Sequence, residues 1–168
     1  MPSPITINIK MDPYLIAYME SIYGPQPIVF DKKDRLTGFL PRLLRKPYQG
    51  ENQFADYGAE NLKIVLPYFD DKNVLYHNFM AEKEQALFRS IIYRLFKAQF
   101  HDFMNDAERH RINIKEGVDT FMDVHRLDSS LTDMLIKERQ RFKDNLFQKR
   151  WRDKKRRQIE KAFVESEM

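Results

Sequence analysis

Cysteine is absent from the chain, so a disulfide framework, a thiolate zinc site and a cysteine nucleophile are all excluded. The lack is compatible with a reducing cytoplasm. Glycine is scarce, with five residues scattered through 168, and no Gly-rich phosphate loop can be assembled from them. Nucleotide-dependent chemistry is therefore not expected. No serine stands in a Gly-x-Ser-x-Gly elbow, which removes the hydrolase nucleophile of that type. Long apolar runs are missing too, since spanning a bilayer takes roughly 20 consecutive apolar residues and the stretches here are much shorter. Met1-Pro2-Ser3-Pro4-Ile5 lacks the basic start and apolar run of a secretory signal. These absences predict a soluble cytoplasmic protein with no membrane partner.

What is present suffices for a core: 42% of residues are hydrophobic and 13% aromatic, against 32% charged. Ile5, Ile7, Ile9 and Met11 alternate with polar residues, the period of a strand with one buried face. Asp12-Pro13 then reads as N-cap and first helical residue, opening a helix over 14–23 that Gly24-Pro25 stops. Pro27-Ile28-Val29-Phe30 suggests a second short strand. Leu36, Phe39, Leu40, Leu43 and Leu44 suggest a short helix, with Pro41 comfortable only in its first turn. After a polar loop over 47–58, Leu62, Ile64, Leu66 and Tyr68 alternate as a third strand.

From residue 78 to about 110, Phe79, Leu87, Phe88, Ile91, Ile92, Leu95, Phe96, Phe100, Phe103 and Met104 recur at helical spacing, a broad stripe fit for a central helix. A further helix over 115–126 would turn Val118, Phe121, Met122 and Val124 inward. A last helix, opened by Ser130 and Asp133 in the manner of a capping box, would run to about Phe163. The fold class expected is α+β: over 1–75 a small sheet and short helices packed on a long helix, and over 76–168 a helical part. That helical part ends in a helix-turn-helix-like pair over 115–157.

The most concentrated signal lies in the last helix. Residues 137–157 hold eleven Lys or Arg against Glu138, Asp144 and Asp153, a local charge of +8 in a chain of net +4. A cationic segment of this density suits a polyanion, because neutralising phosphates releases condensed counterions. Two helices joined by about four residues, the second basic, have the form of a DNA-reading helix-turn-helix. Leu131, Leu135, Phe142, Leu146 and Phe147 would then form an inner stripe. Lys137, Arg139, Arg141, Lys143, Lys149, Arg150 and Arg152 would face outward. Base edges would meet the first turns, around Thr132, Asp133, Lys137 and Arg141, and phosphates the tail of Lys149, Arg150, Arg152, Lys154, Lys155, Arg156 and Arg157.

Leu146-Phe147-Gln148-Lys149-Arg150 resembles the homeodomain recognition-helix core Trp-Phe-Gln-Asn-Arg over about a dozen residues. It has Leu146 in place of the tryptophan and Lys149 in place of the adenine-reading asparagine, so no base-reading role is carried over. In layout the chain is similar to small uncharacterised proteins of phages and mobile elements in gut bacteria. The likeness lies in the opening Ile-Thr-Ile-Asn-Ile-Lys with Asp-Pro-Tyr-Leu, then Tyr-Gly-Pro, a Leu-rich helix and a basic helix-turn-helix end. That resemblance implies a regulatory or replication-related DNA-binding role in a bacterial host, such as transcription regulation.

The expected function is a non-enzymatic DNA-binding protein without cofactor or metal, acting on duplex DNA with some homodimer formation to engage two half-sites. The rival is a structural or interaction module whose final helix pairs with a partner through Leu135, Phe142, Leu146, Trp151, Ile159 and Phe163. A third reading, a metal-dependent nuclease, would draw on His101, Asp102 and Asp106 with Glu82, Glu84 and Glu108, but no acidic pair is joined by a catalytic lysine on a strand. The ordinary account of His101, Asp102 and Asp106 is polar surface. Lys32, Lys33, Arg35, Arg42, Arg45 and Lys46 form a second basic cluster, offset by Asp31 and Asp34 and expected to be solvated. Tyr48, Phe54 and Tyr57, in the polar loop, are the exposed aromatic candidates for base stacking.

Overall fold

The computed structural model describes residues 4–52 and 55–166, with side chains through residue 160; Phe54 and the Phe163 side chain lie outside that description. The fold is α+β. Strand β1 (Thr6–Lys10) is followed by helices α1 (Pro13–Tyr23) and α2 (Arg35–Leu43), strand β2 (Asn61–Val65), and helices α3 (Glu82–Arg109), α4 (Ile114–His125) and α5 (Thr132–Ser166). β1 and β2 pair antiparallel with Thr6 opposite Val65 and Lys10 opposite Asn61. The period of two turns Ile7, Ile9, Leu62 and Ile64 to one side, where all four are buried.

Several boundaries differ from the sequence expectation. Pro27–Phe30 is not a strand: Ile28 alone bridges to Ile64 on the free edge of β2. Pro27 has no N–H to pair, and the Gln26 side chain accepts the Lys63 N–H at 2.7 Å in place of backbone. Tyr68 is exposed, because β2 ends at Val65 and Pro67 cannot extend the ladder. Pro41 sits near the C-terminal end of α2 rather than in its first turn. The end it weakens is capped by Lys72, whose ammonium donates to the Pro41 and Leu44 carbonyls. A cation there also meets the negative end of the helix dipole.

α3 is the central element, and its buried row is narrower than the expected stripe. Phe88, Ile92, Phe96, Phe100 and Met104 are buried at every fourth residue, whereas Leu87 and Leu95 are exposed. One side of this row packs against α1 and α4. Tyr18 donates to the Gln99 side chain across the α1–α3 contact. Gly117 lies inside α4 because the two helices approach closely there: a Cβ at that position would stand 3.0 Å from Met104 Cε. Val118, Phe121 and Met122 face inward as expected, but Val124 is exposed. Asn113 caps α4 by accepting the Glu116 N–H at 2.9 Å.

α5 does not open on a Ser130–Asp133 capping box. Asp128 accepts the Ser130 N–H at 2.8 Å and caps a 3-10 turn over Ser129–Leu131, from which α5 continues. Hydrogen bonds from the Ser130 hydroxyl and N–H hold the Asp128 carboxyl below its ordinary range. At 35 residues the helix is about 52 Å long.

Candidate nucleic-acid interface

The first three turns of α5 form a root fixed to the body. Leu135 is buried, and Phe142 lies half-buried, stacked on the His101 ring of α3 at 3.9 Å between centroids. Between them Arg139, expected to face outward, is 2% exposed. Its guanidinium donates to Asn105 Oδ1 at 2.8 Å and to Glu108 Oε1 at 3.1 Å. Lys143 reaches the same Glu108 oxygen at 2.9 Å. Next to Arg139 in the chain, Glu138 takes Lys97 Nζ at 2.6 Å and His101 Nε2 at 3.3 Å. Burial alone would raise the Glu108 and Glu138 carboxyls, but the bonded cations hold both below the ordinary range. The phase of the helix carried this signal: Arg139 stands four residues after Leu135 and three before Phe142, at the middle of the inward face.

Beyond that root the helix buries no side chain fully against the other described residues. From residue 143 to residue 160 every side chain is exposed except Asp153, which is half-buried. Leu146 and Phe147, expected in an inner stripe, are 38% and 71% exposed. Without an inner face the cations are not gathered to one side. At about 100° per residue, Lys149, Arg152, Lys155 and Arg156 take one flank, and Arg150, Lys154 and Arg157 the other. Among the described residues Arg156 alone of these seven forms ion pairs, at 3.7 Å to Asp153 and 3.9 Å to Glu160. Both pairs are exposed and contribute little. Of the residues expected to meet base edges, Lys137 and Arg141 are exposed one turn apart, with exposed Asp133 nearby. The Thr132 hydroxyl instead donates to the Ser129 carbonyl at 2.8 Å, closing the 3-10 turn.

No family model, curated protein or solved structure matches this chain.

Other expected positions are dispersed. His101 is buried rather than polar surface, while Asp102 and Asp106 are exposed and Glu108 is committed to Arg139 and Lys143. Among the described residues no three His, Asp or Glu side chains are grouped to hold a metal ion, and no helix is long and apolar enough to cross a membrane. In the N-terminal basic cluster Arg45 is engaged by Glu51 at 2.6 Å and lies over the Tyr48 ring at 4.2 Å. Lys32, Lys33, Arg35, Arg42 and Lys46 are exposed. Tyr48 is 70% exposed, whereas Tyr57 is half-buried.

Two buried histidines make the fold acid-sensitive. The Ser21 hydroxyl donates to the Tyr18 carbonyl at 2.6 Å, so at its 2.7 Å contact with His125 Nδ1 the imidazole is the donor. Burial is the main cause that pushes both His125 and His101 below the usual histidine range. His101 Nδ1 is buried with no hydrogen-bond partner among the described residues. A histidine lowered in the fold favours the neutral form, so its contribution is present above the unfolded pKa of about 6.5 and is lost as pH falls below it. The thermal midpoint is therefore expected to fall between neutral pH and pH of about 5.5. His101→Gln with His125→Gln should flatten that decline, and an unaltered profile in the double variant would place its origin elsewhere.

Proposed function

We propose that this protein is a non-enzymatic nucleic-acid-binding protein whose contact surface is the distal half of α5. The observation that supports this reading is the packing of seven Lys or Arg into residues 149–157, all of them exposed on α5. Within that stretch Arg150 and Lys154, or Arg152 and Arg156, are like charges one turn apart and disfavour the isolated helix. A polyanion removes that repulsion and gains the entropy of released counterions. Cations on two flanks suit phosphate neutralisation rather than the reading of one groove. Lys137 and Arg141 add a smaller contact at the root. The fuller expectation is a phage- or mobile-element-type protein of the bacterial cytoplasm, acting on duplex DNA with some homodimer formation. It rests on the resemblance in layout together with this charge.

Binding to a duplex of arbitrary sequence, followed by anisotropy of a labelled strand, tests the reading. The logarithm of affinity is expected to fall with the logarithm of salt concentration at a slope of about −3 to −5, as three to five neutralised phosphates require. Replacing Lys154, Lys155, Arg156 and Arg157 with glutamine should flatten that slope by about 2 to 3. Absence of binding even at low salt would favour the second reading, a helix that pairs with a protein partner. The exposed Phe147, Trp151 and Ile159 are what supports that rival.

A further inference from the structure

We propose that the distal half of α5 takes nucleic acid preferentially as an unpaired strand, with bases stacked on Phe147 and Trp151; this rests on the nucleic-acid reading above. The two rings are 71% and 56% exposed, and a spacing of four residues puts them on one side of the helix. Exposed aromatic side chains cost free energy in water, and phosphate neutralisation gives them no partner. Base faces are their chemical complement, and in a duplex those faces are already stacked on one another.

The spacing fits a splayed strand. Four residues separate the rings by about 6 Å along the axis, roughly twice the 3.4 Å rise of stacked bases in a duplex strand. The charges fit as well. By helical phase Arg150 and Lys154 border the aromatic face on one side and Lys155 and Arg152 on the other, so a backbone running along either border meets cations. Lys155 Nζ lies over the Trp151 ring, 5.3 Å from its centroid, a cation–π contact that covers one ring face and that a stacked base would replace, freeing the ammonium for a phosphate. By the same phase Asp144, two turns before Trp151, lies on this face ahead of the aromatic pair. Aromatic platforms with flanking cations are the common means of binding unpaired strands without sequence preference.

Trp151 is the sole tryptophan, so its emission reports on this face in the intact chain. An oligothymidylate should quench it, and a duplex of equal length should change it little at equal saturation. Phe147→Ala and Trp151→Ala should each weaken the oligothymidylate by about tenfold and leave duplex affinity within about twofold. Both positions are exposed, so the variants are expected to fold, which circular dichroism checks. Unchanged oligothymidylate affinity in both variants, or equal losses for strand and duplex, would overturn the inference while salt-dependent binding kept the broader reading intact. A wild-type dimer that dissociates on Trp151→Ala, with no change in strand affinity, would overturn it in favour of a second copy as occupant. No binding to either nucleic acid at low salt would overturn both proposals.

Discussion

Phe121→Ala is expected to lower the unfolding free energy by about 4 kcal/mol, the cost of deleting a fully buried aromatic ring and leaving a cavity. Phe121 is 0% exposed and joins more aromatic neighbours than any other ring of the helical part: Phe100 at 5.1 Å, Phe103 at 5.5 Å, Phe96 at 5.9 Å and His125 at 4.5 Å between centroids. These neighbours come from α3 and α4, held by helix backbone, so the space cannot close by side-chain shifts alone. A loss of that size is a large share of a typical domain stability of about 5–15 kcal/mol. Val124→Ala, three residues on but exposed, should stay within about 0.5 kcal/mol. Urea unfolding of the two variants makes the comparison, and similar costs at both positions would mean that α4 is turned differently on α3.

Glu108→Ala is expected to cost about 2–3 kcal/mol, because it strands the buried Arg139 guanidinium. Asn105 would then be the remaining partner of a group whose Nη1 already has no hydrogen bond among the described residues. The cost falls below that of a fully buried pair because the Glu108 side chain is 29% exposed and water can enter. Arg139→Met should cost less, about 1 kcal/mol, since it removes the charge together with its desolvation and keeps a similar stem against Phe142. The double variant should cost less than the sum of the two. Strict additivity in a urea-based cycle would show that the carboxylate and guanidinium do not depend on each other. With the Glu138 contacts to Lys97 and His101, this cluster ties the α5 root to α3.

The elements whose pattern was self-contained were legible. Period two over Ile5 to Met11, the Asp12-Pro13 start and Gly24 stop of α1, and the helical spacing of α3 each arise from local geometry that the residues spell out, although the stripe expected on α3 is broader than the row that is buried. Misreadings came where a non-local partner intervened. Ile28 forms one bridge because its neighbour is the edge of β2, and Pro41 is tolerated late in α2 because Lys72 arrives from a distant loop to cap it. Arg139 faces inward by helical phase although its charge predicts an outward place. Its acceptor, Glu108, lies 31 residues earlier in the chain.

Composition and periodicity settled the α+β class, the long helices and the cationic density of α5, since these follow from backbone sterics and from counting charges. How the cations are displayed required the packed molecule. Whether a helix has an inner face depends on what lies beside it, and among the described residues α5 is tied to α3 as far as Lys143. Past that residue no packed face sorts polar from apolar among the described side chains, so the cations lie on two flanks of the helix and Phe147, expected in an inner stripe, is exposed.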